Sequence, residues 1–201
     1  MFAARGFDGV KGQAICRKAR VNAAAIVYHF GGMGGLYRAV LNEALRRLVT
    51  TDELVGAVES ASDPRQQLEA FLGLIVQTLT SPASQSWPGK LFGREFISPS
   101  RVYGKAHDAA LAARAALLKS IVSPLAGKPA DDPQVARSCV SIMAPCALLL
   151  LVDRRKLQRL IPELDLTPAS RPQLTQHLVN FALAGLMATA TPPAEVEEPQ
   201  P

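Results

Sequence analysis

AICRKARVNAAAIVYHFGG, residues 14–32, reads as two short helices joined by a turn. Ile15, Ala19, Val21 and Ile26 stand where a helix-turn-helix carries its apolar core. Asn22 is a good N-cap for the second helix, and Ala23, Ala24 and Ala25 follow it. Small residues on that leading turn let a helix approach the floor of a major groove. Tyr28 and His29, at the far end, carry donors suited to phosphate oxygens, and Phe30 is placed to pack inward. Val27 suits core and contact equally. Gly31 to Gly35 follow no strand and precede no Gly-Lys-Ser/Thr, so they read as an interhelix loop, not a phosphate cradle.

The charge around this stretch is one-sided. Residues 1–48 hold eight basic side chains, among them Arg17, Lys18, Arg20, Arg38, Arg46 and Arg47, against Asp8 and Glu43 alone. That is about the whole of the chain's formal net charge of +5, so the remainder is near neutral. A basic end on a neutral body suits a polyanion, although a solvated basic face has the same signature.

Over its 201 residues the chain is 48% hydrophobic and poor in aromatics, with Ala and Leu dominant and no runs of β-branched residues. The fold class expected is therefore all-α. Asp63-Pro64, Asp132-Pro133 and Thr167-Pro168 each place a capping side chain before a proline, and Gln66 completes a capping box with Asp63. Leu68, Phe71, Leu72, Ile75 and Leu79 then keep a helical period. Pro82, Pro88 and Pro99 bracket a short helix over 91–97, and an Ala-rich helix is expected from about Val102 until Pro124 stops it. Cys139 to Val152 is too short an apolar run to span a bilayer and reads as a buried helix. Residues 191–201 form a Pro/Glu tail expected to be disordered.

Together, "FAARGFDG" (2–9), "AICRKARVNAAAI" (14–26), "YHFGGMGG" (28–35) and "LYRAV" (36–40) resemble the DNA-binding domain of the TetR family. "NAAAIVYHFGG", with "REFISPS" (94–100) and "HLVNFALAGL" (177–186), is most similar to the CecR-type subgroup. The resemblance implies a three-helix head over 1–48 and a helical ligand-binding and dimerisation domain over 49–190. It places DNA contacts on Asn22, Ala23, Ala24, Ala25, Val27, Tyr28 and His29. It also implies double-stranded operator DNA, a small hydrophobic effector and a second copy of the chain as partners, in the cytoplasm and not on a membrane. The family carries a full helix ahead of "FAARGF", so a first helix opening at Met1-Phe2 is expected to be truncated. Lys11 stands where the family caps the next helix, Gly12 falls inside that helix, Arg20 replaces a turn glycine and Met33 a phosphate-binding lysine. Beside a ligand-released repressor, these departures keep open a dimeric ligand-binding protein with weakened or lost DNA binding.

An effector should sit between head and dimer core. Phe71, Phe92, Phe96 and Tyr103 are the aromatics there, Trp87 could close an entrance, and Arg94 and His107 could orient the molecule. Arg94-Glu95 reads as a charge pair, structural or ligand-binding. The dimer face is expected on two stripes: Val135, Cys139, Ile142, Cys146 and Leu149, and Leu174, Leu178, Phe181, Ala184, Gly185 and Ala188. The odd cysteine count and the lack of a Cys-x-x-Cys pattern indicate reduced core thiols, with Cys139 and Cys146 a possible sensor pair. No nucleophile–base–orienter set and no metal-ligand spacing occurs, so no catalytic residue, metal or cofactor is expected and an enzyme is not.

Overall fold

Helix follows helix from Phe2 to Ala190 in the computed structural model, which describes residues 1–81 and 86–190 apart from the side chains of 105–107 and 190. No strand occurs among the described residues. The expected tail at 191–201, Pro82 and the His107 side chain lie outside them.

The head comprises α1 (Phe2–Arg5), α2 (Gly12–Ala19), α3 (Ala24–Phe30) and α4 (Met33–Arg46). Gly31 ends α3 in the left-handed region at φ 67°. A side chain at Gly35 would drive its Cβ to within 1.6 Å of the Phe30 carbonyl oxygen, so only glycine lets α4 start so close under α3. Tyr37, Leu41 and Ala44 are buried at helical spacing along α4 and, with Phe2 and Val10, build the head's core.

The body follows with α5 (Thr51–Glu59), α6 (Pro64–Leu79), α7 (Trp87–Ile97), α8 (Lys105–Ala126), α9 (Pro133–Leu151), α10 (Arg154–Leu160), a 3-10 turn (Pro168–Ser170) and α11 (Arg171–Ala190). Thr50 and Glu53 cap α5 reciprocally, a capping box that the sequence reading passed over. Asp63 accepts the Gln66 N–H at 2.9 Å and Asp132 the Gln134 N–H at 2.6 Å, as their Xaa-Pro signals led one to expect, but the Gln66 side chain accepts from Ser62 and does not close the expected box with Asp63. Thr167 differs. Its N–H and hydroxyl bind Asp165 instead, and a 3-10 turn over Pro168–Ser170 leads into α11.

α6 is the central helix, packed by α5, α8, α9 and α11. Leu68, Phe71, Leu72, Val76 and Leu79 are its buried face. Ile75 packs partly buried beside them. Pro124 does not stop α8. In the last turn it forfeits a single backbone hydrogen bond, and the helix runs on to Gly127, which closes it at φ 61°.

By length and composition, α8 from Asp108 onward and α9 could each cross a membrane. In this fold they pack against each other and against α6, the other setting for a helix apolar on most sides. The apolar run at 139–152 is thus the second half of a longer helix.

α7 belongs to both parts. It packs on α1 and α4 of the head and on the end of α9, and its Leu91 is fully buried in the head's core. The body's own core begins at Val49.

Candidate nucleic-acid interface and the cleft behind it

The helix-turn-helix is α2, the turn at Arg20 to Ala23, and α3. Asn22 accepts the Ala24 N–H at 3.0 Å, so it caps the helix two residues ahead of it, with Ala23 in the cap position itself. Only Ile26 of α3 is buried, seated beside Gly12 and Met33. Ala23 and Ala24 are exposed, Ala25 is half-buried, and Val27, Tyr28 and His29 face solvent, Tyr28 at 84%. Val27, open to either role by sequence, is 66% exposed. α3 therefore presents an outward face of small residues with two polar rings at its end.

Ala19, Val21, Phe30 and Gly12 depart from expectation. Ala19 and Val21 are not core but exposed, and Cys16 of α2 is buried in their stead. Phe30 does not pack inward. It stands 41% exposed, edge-on to His29, because the glycines after it turn the chain at once into α4. Gly12 is the first residue of α2, not an interior one, so its helix penalty is small. Met33 lies against Gly12, its sulfur 3.1 Å from where a Cβ would stand, and serves the packing of the head.

Arg20 does hold the left-handed turn, at φ 57°. Lys11 offers no side-chain cap to α2. Lys11, Arg17, Lys18, Arg20 and Arg38 are all exposed, and no acidic partner pairs with them among the described residues. Arg46 and Arg47, by contrast, are both drawn to Glu43. The unpaired cations therefore lie on the elements before and after α3 in the chain.

The aromatics proposed for an effector do not converge. Phe71 is 2% exposed inside the body's core, while Trp87 and Tyr103 pack onto the head's core, Trp87 under the Arg47 guanidinium at 5.6 Å. Phe92 is half-buried and Phe96 is 52% exposed on the next turn of α7. Arg94 and Glu95 are not a pair, since neighbours on a helix point in different directions. Glu95 is buried and accepts the Tyr37 hydroxyl at 2.5 Å. Arg94 donates to the Ala4 carbonyl of α1 at 3.3 Å.

The cavity lies elsewhere. A half-open cleft of about 410 Å³ runs between α1, α7 and the end of α9. The Gly89/Gly93 and Lys90/Arg94 rows of α7 form one side, Leu150 and Leu151 the other, and Ala3 the head end. Of the described residues singled out by sequence for an effector, Arg94 alone lines it. The glycines four apart on a short helix were the available signal.

The interface stripes also part company. Val135, Cys139, Ile142, Cys146 and Leu149 are all at or below 9% exposure within one protomer, because that side of α9 faces α6 and α8. They are core and cannot be a dimer surface. Burial pushes the Cys139 thiol up and that of Cys146 to about 11, which makes both poor thiolates and removes the reason to read a sensor pair. The outward side of α9 instead exposes Val140 at 71% and Leu148 at 51%. On α11, Leu178 is buried and Leu174 half-buried, whereas Phe181, Ala184, Gly185 and Ala188 are exposed.

A helix-turn-helix with an open recognition helix, carried on an all-helical body, defines a DNA-binding regulator. Residues 1–40 match the family of bacterial regulatory proteins called the tetR family. Residues 64–186 match the C-terminal domain of the HTH-type transcriptional dual regulator CecR. The chain belongs to the TetR family of transcriptional regulators, in its CecR-type branch. No curated protein sequence matches it. Solved structures share its fold, two among them similar over most of the chain. One, a candidate transcriptional regulator from Pseudomonas aeruginosa PAO1, is 22% identical with a TM-score of 0.62, over 94% of this chain and 88% of that one. The other, AibR in complex with isovaleryl coenzyme A and operator DNA, is 16% identical with a TM-score of 0.62, over 90% of each chain.

Proposed function

We propose that the protein is a cytoplasmic repressor whose dimer holds operator DNA through two α3 helices and lets go when a small effector binds. Residues 1–48 act as the DNA-binding unit and 49–190 as the effector and dimerisation unit. The carrying observation is the outward face of α3, with Val27, Tyr28 and His29 in solvent, between elements that carry exposed cations without an acidic partner among the described residues. Ala23, Ala24 and Ala25 have no donors, so they contribute clearance and methyl contact to thymine, while Asn22 orders the helix start. Tyr28 and His29 donate to phosphates, and Arg17, Lys18 and Arg20 supply the charge. An effector role draws support from AibR, solved with an acyl-coenzyme A and operator DNA together.

A gel shift on the intergenic DNA next to the gene, run from low to high salt, tests this. Affinity should fall steeply with salt, and Arg17→Ala should weaken binding and reduce the salt slope by about 1. Tyr28→Phe should weaken binding with the slope unchanged, because a neutral hydroxyl displaces no counterion. Absence of binding at low salt would remove the repressor reading and leave a dimeric ligand-binding protein.

A further inference from the structure

The cleft between head and body has walls of two kinds. Leu150, Leu151 and Ile97 offer apolar surface, and Lys90 and Arg94 stand one turn apart along α7. Neither cation has an acidic partner among the described residues. Asp153, the carboxylate in the lining, is turned to its own helix, where it accepts the Lys156 N–H at 3.2 Å as the cap of α10. Among the described residues the Arg94 guanidinium donates to the Ala4 carbonyl, at 3.3 Å, and lies against Gly6. A volume of about 410 Å³ is within the range of small-molecule sites.

We propose that this cleft binds an amphipathic anion, its apolar tail on Leu150, Leu151 and Ile97 and its carboxylate or phosphate head on Lys90 and Arg94. A charged oxygen is a stronger acceptor for a guanidinium than a backbone carbonyl. The bound head group therefore takes Arg94 from Ala4 and removes a hydrogen bond between α1, a helix of the DNA-binding head, and α7, whose apolar packing remains. This second step rests on the regulator reading above. Binding itself does not.

Trp87, the sole tryptophan, lies outside the lining, so binding is read by isothermal titration calorimetry. Full-length protein without DNA is titrated with octanoate, octyl phosphate and neutral octan-1-ol. A saturable change with octanoate, octyl phosphate or both is expected, and the tighter of the two identifies the head group. Octan-1-ol should bind at least about tenfold more weakly, as should the better anion to Arg94→Gln or to Lys90→Gln, whose exposed position spares the fold. Equal binding of octan-1-ol, no binding of either anion, or affinity indifferent to both substitutions would overturn the site. On operator DNA the better anion should lower affinity at least about fivefold. An unchanged affinity with the cleft saturated would overturn the coupling alone, whereas a ligand-free protein that ignores DNA would sink the repressor reading and leave the site standing.

Discussion

Glu95 is a carboxylate at 1% exposure with no cation bound to it, held instead by donors from two directions. The Tyr37 hydroxyl reaches it from α4 at 2.5 Å, and the Ser100 N–H closes on its other oxygen at 2.8 Å. Burial first, then the hydrogen bond to Glu95 and its charge, push the Tyr37 hydroxyl well above its ordinary 10. The unfolded chain releases this proton near pH 10 while the folded one keeps it, so the contribution is complete below pH 10 and drains away as pH rises further. Tyr37→Phe leaves a buried acceptor short of a donor and should cost about 1–3 kcal/mol at pH 7. Urea unfolding at pH 7 and pH 10.5 checks both points: the variant should be less stable at neutral pH and lose less on going alkaline. Equal midpoints for the two proteins at pH 7 would show that the pair contributes nothing.

Arg20 brings the turn between α2 and α3 into the left-handed region that glycine enters freely and most L-residues avoid. Its side chain is exposed and has no ion pair among the described residues to offset the strain. Arg20→Gly relieves the strain but gives the unfolded chain more freedom, for a net gain of a few tenths to about 1 kcal/mol. The same substitution removes a cation beside the recognition helix. Thermal unfolding should therefore move up while operator affinity moves down. A variant that loses stability would show that Arg20 holds the turn by some other means. Elsewhere the helices start where their caps say, at Asp63 and Asp132, and a proline near a helix's end, as in α8, does not terminate it.

The outward faces of α9 and α11 leave Val140, Leu148, Phe181 and Met187 between 51% and 74% exposed. The Gln134 side chain bonds the Thr189 carbonyl at 2.5 Å, which sets the start of α9 beside the end of α11. These exposed apolar residues are what a two-fold partner would cover, and Ala184, Gly185 and Ala188 let backbones come close. Phe181→Glu should give monomers by light scattering at micromolar concentration, with little change in fold stability since the ring already faces solvent. A dimer that survives the substitution places the interface on another face.

Helix content, the helix-turn-helix and the two aspartate caps were legible in the sequence because each is set within a few residues, by periodicity or by a side chain reaching its own backbone. The basic head was legible too, since charge is additive along the chain. Which side of α9 faces inward was not. A helix apolar on two stripes satisfies its sequence either way round, and only the packing of α6 and α8 placed Cys139 and Cys146 in the core and Val140 outside. The same holds for the site. Phe71, Trp87 and Phe96 share composition, but their surroundings divide them among body core, head core and solvent. The cleft exists because α7, in sequence part of the body, lends Leu91 and Glu95 to the head, a pairing of residues more than 50 positions apart that local rules do not reach.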